Sequence, residues 1–188
     1  MGKISSNFYS EEELKQLGLK NFGVNVLISR KCSIYGAGNI DIGNNVRIDD
    51  FCILSGKINI GNYVHISAYT VLYGKYGIEI NNYCGISANS ILYSAVDDFS
   101  GEFMISPMVP EKFTNVTGGK IILENYSQIG ANSIVMPNVV VSEGAVCGAF
   151  SFVNKKLDAW TINVGIPTKV LKKRSKQLLR FNDEFDGI

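Results

Sequence analysis

Aliphatic residues recur every six positions along most of this chain, a period that neither a lone helix nor a hairpin meander produces. The series runs Ile42, Ile48, Leu54, Ile60, Ile66, Leu72, slips by two, and resumes at Ile80, Ile86 and Leu92. After a longer gap it continues at Leu123, Ile129, Val135, Val141, Cys147 and Val153, and Ile28 and Ile34 begin it. A fainter track lies two residues earlier and is mostly small: Val46, Cys52, Ile58, Val64, Thr70, then Cys84, Ser90, Ser127, Ser133, Val139, Ala145 and Ser151. Both tracks face inward if each hexad holds a short strand, because strand side chains alternate. Gly often follows the aliphatic residue, and Gly and Asn supply positive φ at tight corners. Three hexads then close one triangular coil, and coils stack as parallel sheet.

A length of 188 residues is one domain by size. The reading divides it into a cap over 1–27, a coil over 28–174 and a tail over 175–188. The hexad track explains the cysteines: Cys32, Cys52 and Cys84 fall on the small inward track, Cys147 on the aliphatic one, with no CxxC spacing. A net charge of +1 gives no basic footprint for nucleic acid. No apolar run is long enough for a transmembrane helix and the N-terminus lacks a signal peptide, so the expected location is cytoplasmic. His65 is the only histidine, which excludes a multi-histidine metal site in one chain; no metal is expected.

Ser10-Glu-Glu-Glu13 is a capping box and predicts a helix over 11–17, ended near Gly18. Residues 175–185 are expected to form a terminal helix. Thirty-one residues separate Leu92 from Leu123 where six would serve, so 94–119 is extruded from the coil. Its Phe99, Phe103 and Phe113 favour a packed loop that lines a cleft.

His65 directly precedes Ile66 and therefore points outward, either as a solvated side chain or as a base. Tyr63, Tyr69 and Tyr73 stand near it in sequence, and Gly85, its equivalent one coil later, leaves room beside the ring. Asp97 and Asp98 lie at the loop entrance, either as a solvated turn or as carboxylates that orient an imidazole or accept from sugar hydroxyls.

The hexads, together with the closing segment Val164–Arg174 (VGIPTKVLKKR), resemble the hexapeptide-repeat acyltransferases across about 28–174. The resemblance implies an all-β, left-handed parallel β-helix and acetyl-CoA as co-substrate. It implies a donor groove of Ala131, Gly148 and Ala149 between subunits, with Asn154 and Lys155 on the pantetheine arm and Lys169 and Lys172 on the phosphates. Trp160 would supply the ring surface that Gln128 does not. The cluster Lys169–Arg174 reads equally as a solvated tail. In these enzymes a histidine commonly deprotonates the acceptor hydroxyl. The maltose and galactoside O-acetyltransferases place it at the loop entrance, where this chain has Asp97. His65 one coil earlier is then the expected base, with Asp97 as its catalytic partner and Asp98, Tyr69, Tyr73 and Gly85 at the acceptor. The expected function is O-acetylation of a sugar in surface polysaccharide synthesis, by a homotrimer. The alternative is N-acetylation of an amino-sugar nucleotide, since an unprotonated amine needs less help than a hydroxyl. A non-catalytic β-helix would need neither the loop nor the lysines.

Overall fold

The computed structural model describes residues 7–185. They wind into a left-handed parallel β-helix of about seven turns, with each turn contributing one short strand to each of three faces. The hexads set the register. On the first face Ile48, Ile66, Ile86, Ile129 and Cys147 stack directly above one another. On the second the column is Leu54, Leu72, Leu92, Val135 and Val153. On the third it is Ile42, Ile60, Ile80, Leu123 and Val141. Every one of these side chains is buried. Full burial of each stabilises the coil by roughly 1.5–3 kcal/mol relative to exposure. The small track fills the corners of the triangle: Cys52, Cys84, Thr70, Ser90, Ser127, Ser133 and Ser151 are buried, while Cys32 near the open end is only part-covered. All four cysteines are free thiols, and burial raises the thiol pKa of each.

Two corners of each coil turn through left-handed backbone. Asn25, Asn45, Tyr63, Tyr83, Tyr126 and Trp160 take positive φ where the third face meets the first. Phe51, Tyr69, Asn89, Asn132 and Phe150 do so between the first and second. Beside the former runs a ladder of asparagines. The backbone N–H groups of Val24, Asn44, Asn62 and Asn82 donate to the Oδ1 atoms of Asn44, Asn62, Asn82 and Asn125 at 2.7–3.0 Å. The rings at this corner also stack, Tyr63 on Tyr83 at 5.0 Å and Tyr83 on Tyr126 at 5.1 Å. Gly144 interrupts the column, and a Cβ there would lie 2.5 Å from the Trp160 ring. Glycine at that position lets Trp160 reach past it to Tyr126, 6.3 Å away.

The two-residue slip between Leu72 and Ile80 is one ten-residue strand, Val71–Ile80, that bends from the second face to the third at Gly74 and Gly77. Gly77 has φ +106°, a region that favours glycine. At the N-terminus the capping box forms and the helix runs Glu11–Gln16, with Leu14 buried against the first coil. Arg30 donates twice to the Glu13 carboxylate, at 2.7 and 2.6 Å. At the C-terminus the strand Lys169–Lys173 folds back antiparallel on Thr161–Val164. The expected tail helix is a 3-10 turn, Gln177–Arg180, continued by the short α-helix Phe181–Phe185. This tail returns along the aromatic corner: Asn182 donates to the Tyr126 hydroxyl at 2.7 Å, and Phe185 packs edge-on against Tyr63. Among the described residues no helix is long and apolar enough to cross a membrane.

Candidate active site

The loop leaves the fourth coil after Tyr93 and rejoins it at Ile121. Its stem is a short antiparallel pair, Ala95–Val96 against Thr117–Gly118. Ser94 anchors the exit by donating to the Tyr73 carbonyl at 2.8 Å and accepting from the Tyr76 N–H at 2.9 Å. Gly118 is required at the return, since a Cβ there would lie 2.2 Å from the Ser94 carbonyl oxygen. Tyr76 fastens the loop from the coil side, its hydroxyl donating to the Val116 carbonyl at 3.1 Å.

Between the loop and the second face lies a cleft of about 1270 Å³. That exceeds the roughly 300–1,000 Å³ of a typical site for one small molecule. Tyr73 and Tyr93, stacked at 5.5 Å, form one wall, with Ile134, Met136 and Phe152 further along the same face. Val96, Phe99, Pro107 and Val109 come from the loop. The charged groups in the cleft are Asp97, Glu111 and Lys75.

The two neighbouring aspartates part company here. Asp98 is turned into its own loop, accepting from the Ser100 N–H and hydroxyl and from the Gly101 N–H at 2.8–3.1 Å. Those bonds, the Ser100 hydroxyl first, hold its pKa below the usual aspartate value. Asp98 therefore builds the turn that presents Asp97. The Asp97 carboxylate lines the cleft, exposed and with no hydrogen-bond or ion-pair partner among the described residues.

His65 stands on a different face. It projects from the first face, about half exposed, and its Nε2 lies 2.7 Å from Asp49 Oδ2. Asp49 also accepts from Arg47 Nε at 2.7 Å. Burial raises the Asp49 pKa, but the bonds from Arg47 and His65 outweigh it and the net shift is downward. Gly85 is next to His65 in register, and an added Cβ there would reach nothing nearer than Gln128 Cγ at 3.9 Å, so the room beside the imidazole is real. Within one chain His65 and Asp97 are not brought together. Tyr73 reaches the cleft; Tyr69 sits at the corner outside it, stacked on Phe51 at 5.0 Å.

The expected donor residues lie along one edge of the coil and its C-terminal end. The Gly148 N–H donates to the Asn163 carbonyl of the next coil at 2.8 Å, with Ala131 and Ala149 at the corner between the first and second faces. Asn154, Lys155, Lys169 and Lys172 are all exposed around the last coils. Trp160 is 6 % exposed, with Lys176 Nζ above its ring, so in a single chain it closes the coil instead of offering a free surface. Sequence reasoning missed Lys75 and Tyr93. The signal for both was present: each lies next to the point where the loop must leave.

No protein-family model matches the chain. A dTDP-4-amino-4,6-dideoxy-D-glucose acyltransferase from Escherichia coli is 44% identical over 181 residues, covering 95% of this chain and 94% of that protein. AntD, an N-acyltransferase from Bacillus cereus crystallised with dTDP and coenzyme A, superposes with a TM-score of 0.94 at 51% identity, covering 97% of this chain and 99% of that one. Galactoside acetyltransferase in complex with coenzyme A shares the fold, with a TM-score of 0.60 at 20% identity over 93% of this chain and 76% of that one. Repeat, coil and near full-length likeness agree, and the chain belongs to the hexapeptide-repeat acyltransferase family.

Proposed function

We propose that this enzyme is an N-acyltransferase that moves an acyl group from coenzyme A to the 4-amine of a dTDP-4-amino-4,6-dideoxyhexose. The observation that carries the reading is the near full-length identity to an acyltransferase of that sugar nucleotide and to an N-acyltransferase that binds dTDP and coenzyme A. The cleft supports it. A hydroxyl needs a base to become nucleophilic, whereas a neutral amine already holds a lone pair. Within one chain the cleft offers a free carboxylate and no imidazole. The O-acetylation expected from the wider family, with His65 as base, is correspondingly the weaker reading.

In the proposed reaction Asp97 accepts a hydrogen bond from the incoming amine, takes the proton of its ammonium form and aims the lone pair. The nitrogen attacks the thioester carbonyl carbon, and the carbonyl π pair moves to oxygen. Collapse re-forms the carbonyl and breaks the C–S bond. The remaining ammonium proton passes to the departing sulfur, leaving an amide and a free thiol. Lys75 meets the diphosphate and the Tyr73–Tyr93 pair meets the thymine, since stacked rings and one cation suit those two parts.

The donor arm is proposed to run along the Gly130–Ala131 and Gly148–Ala149 edge toward Lys169 and Lys172. A second copy supplies the other wall in a homotrimer. Phe99 at 86 % and Met108 at 89 % exposure are apolar surface that such packing covers. Both substrates and the free thiols suit the cytoplasm.

The test pairs dTDP-4-amino-4,6-dideoxyglucose with its 4-hydroxy counterpart at equal acyl-CoA. Thiol release matched by amide product, with the hydroxyl sugar at background, is the expected result. Ester formation on the 4-hydroxy sugar at a comparable rate would overturn the reading.

A further inference from the structure

The Asp97 carboxylate has no partner among the described residues, so the backbone on either side of it must set its position. Before it comes the stem strand Ala95–Val96, and after it the turn that Asp98 closes on Ser100 and Gly101. Both belong to the loop and would move with it. What ties them to the coil is Tyr76, which touches the stem at three places. Its N–H donates to Ser94 Oγ at 2.9 Å, at the root of the stem. Its ring lies against Gly118, where a Cβ would come within 2.6 Å of Tyr76 Cδ2, so only glycine admits the ring there. Its hydroxyl donates to the Val116 carbonyl at 3.1 Å. The stem pairs Ala95 with Gly118 and Val96 with Thr117, so Val116 is the next residue on the strand, opposite Asp97. Tyr76 therefore holds the backbone directly across from the carboxylate. Among the described residues it makes the one hydrogen bond from the coil to the loop between Asp97 and Val116.

We propose that Tyr76 is a positioning residue: through the stem, and not by contact with substrate, it holds Asp97 where the incoming amine needs a proton acceptor. The inference rests on the amino-sugar reading above. Proton transfer requires hydrogen-bond distance, and a misplacement of about 1 Å costs on the order of a hundredfold in rate. Tyr76→Phe removes only the bond to Val116 and leaves the ring against Gly118, so the stem loosens without melting. A fall of about tenfold in kcat is the expected scale. The ring also stays in the cleft wall, so KM for either substrate should hardly move.

The experiment is a double-mutant cycle of Tyr76→Phe and Asp97→Asn, with kcat and KM measured for dTDP-4-amino-4,6-dideoxyglucose and acetyl-CoA. Thermal melts of all four proteins report that they fold. On the wild-type background Tyr76→Phe should lower kcat about tenfold, with KM within about twofold and the melting temperature unchanged. On the Asp97→Asn background no proton acceptor remains to be aimed, and the same substitution should change kcat by less than about twofold. A tenfold loss that persists without Asp97 would overturn the proposal and make Tyr76 a direct contact of the acceptor. A loss confined to KM, no loss at all, or a melting temperature that falls with kcat would also overturn it, while leaving the amino-sugar reading in place. A wild type that forms no amide, with coenzyme A still bound, would instead remove that reading and this inference with it.

Discussion

The coil buries an aliphatic side chain at nearly every sixth residue, whereas the loop over 94–119 leaves most of its large side chains in solvent. Leu72 in the coil is 0 % exposed; Met108 in the loop is 89 % exposed. The coil's backbone N–H groups pair with the neighbouring coil, and one of its corners is satisfied by an asparagine ladder. Beyond its antiparallel stem and the bond from Tyr76, the loop is held by bonds within itself, such as the turn of Asp98 with Ser100. The coil is thus a frame whose sequence is spent on its own register. The loop contributes little to stability and so is free to carry a carboxylate that nothing in the chain occupies. Conversely, the first face uses its one histidine in a structural-looking chain, Arg47–Asp49–His65.

The sharpest way to break this division is Asp97→Asn. It keeps the shape and removes the proton acceptor, so kcat with the amino sugar should fall by roughly 10²–10⁴ at unchanged melting temperature. Steady-state kinetics beside a thermal melt decide it, and a melting temperature that falls together with activity would make Asp97 part of the frame.

Next in size is the frame itself. Leu72→Ala should cost roughly 2–5 kcal/mol, because neighbouring coils cannot collapse into the space. Phe99→Ala in the loop should change stability by no more than about 0.5 kcal/mol. Denaturant titration of the two variants compares the regions directly, and similar losses would dissolve the contrast.

Much of this frame was legible in advance. The hexads fix all three buried columns, the capping box places Glu11–Gln16, and the interruption after Leu92 marks the loop. The aromatic corner was not, because Tyr63, Tyr83, Tyr126 and Trp160 sit at positions that hexad counting treats as turns, and Gly144 hides the last step. The pairing of His65 with Asp97 is not made within one chain, because the two stand on different faces. His65 lies on the first strand of its coil, while the loop leaves after the second strand of the next. The hexad number modulo three would have separated them. The roles of Asp97 and Asp98 could not be told apart from sequence, since only the fold of the turn decides which carboxylate is used up.

A smaller effect is expected at the donor end. Replacing Lys169 and Lys172 with Ala should raise the Kd of coenzyme A about tenfold at low salt, the ~1.4 kcal/mol that two exposed charge contacts can supply, and less in high salt. Calorimetry at two ionic strengths checks this, and unchanged affinity would return the lysines to a solvated tail.

Smaller still is the cap. The pair of hydrogen bonds from Arg30, reinforced by the Ser10 N–H, holds Glu13 well below its ordinary 4.5, at about 2. A depressed carboxylate stabilises the fold above its unfolded pKa, and that contribution disappears as pH falls from about 4.5 toward 2. Glu13→Gln should flatten this part of the melting-temperature profile and leave the neutral limb nearly parallel to wild type. A profile that keeps its full acid slope would assign the slope to other groups.

The least effect is expected where the sequence pointed most strongly, and it tests the central claim that the loop and not the coil carries the chemistry. With dTDP-4-amino-4,6-dideoxyglucose as acceptor, kcat of His65→Ala should stay within about threefold of wild type, as for an exposed side chain outside the reaction. Its pH profile should keep the same limbs. A loss of roughly 10²–10⁴, together with disappearance of a limb in the imidazole range, would contradict the account and make His65 the base.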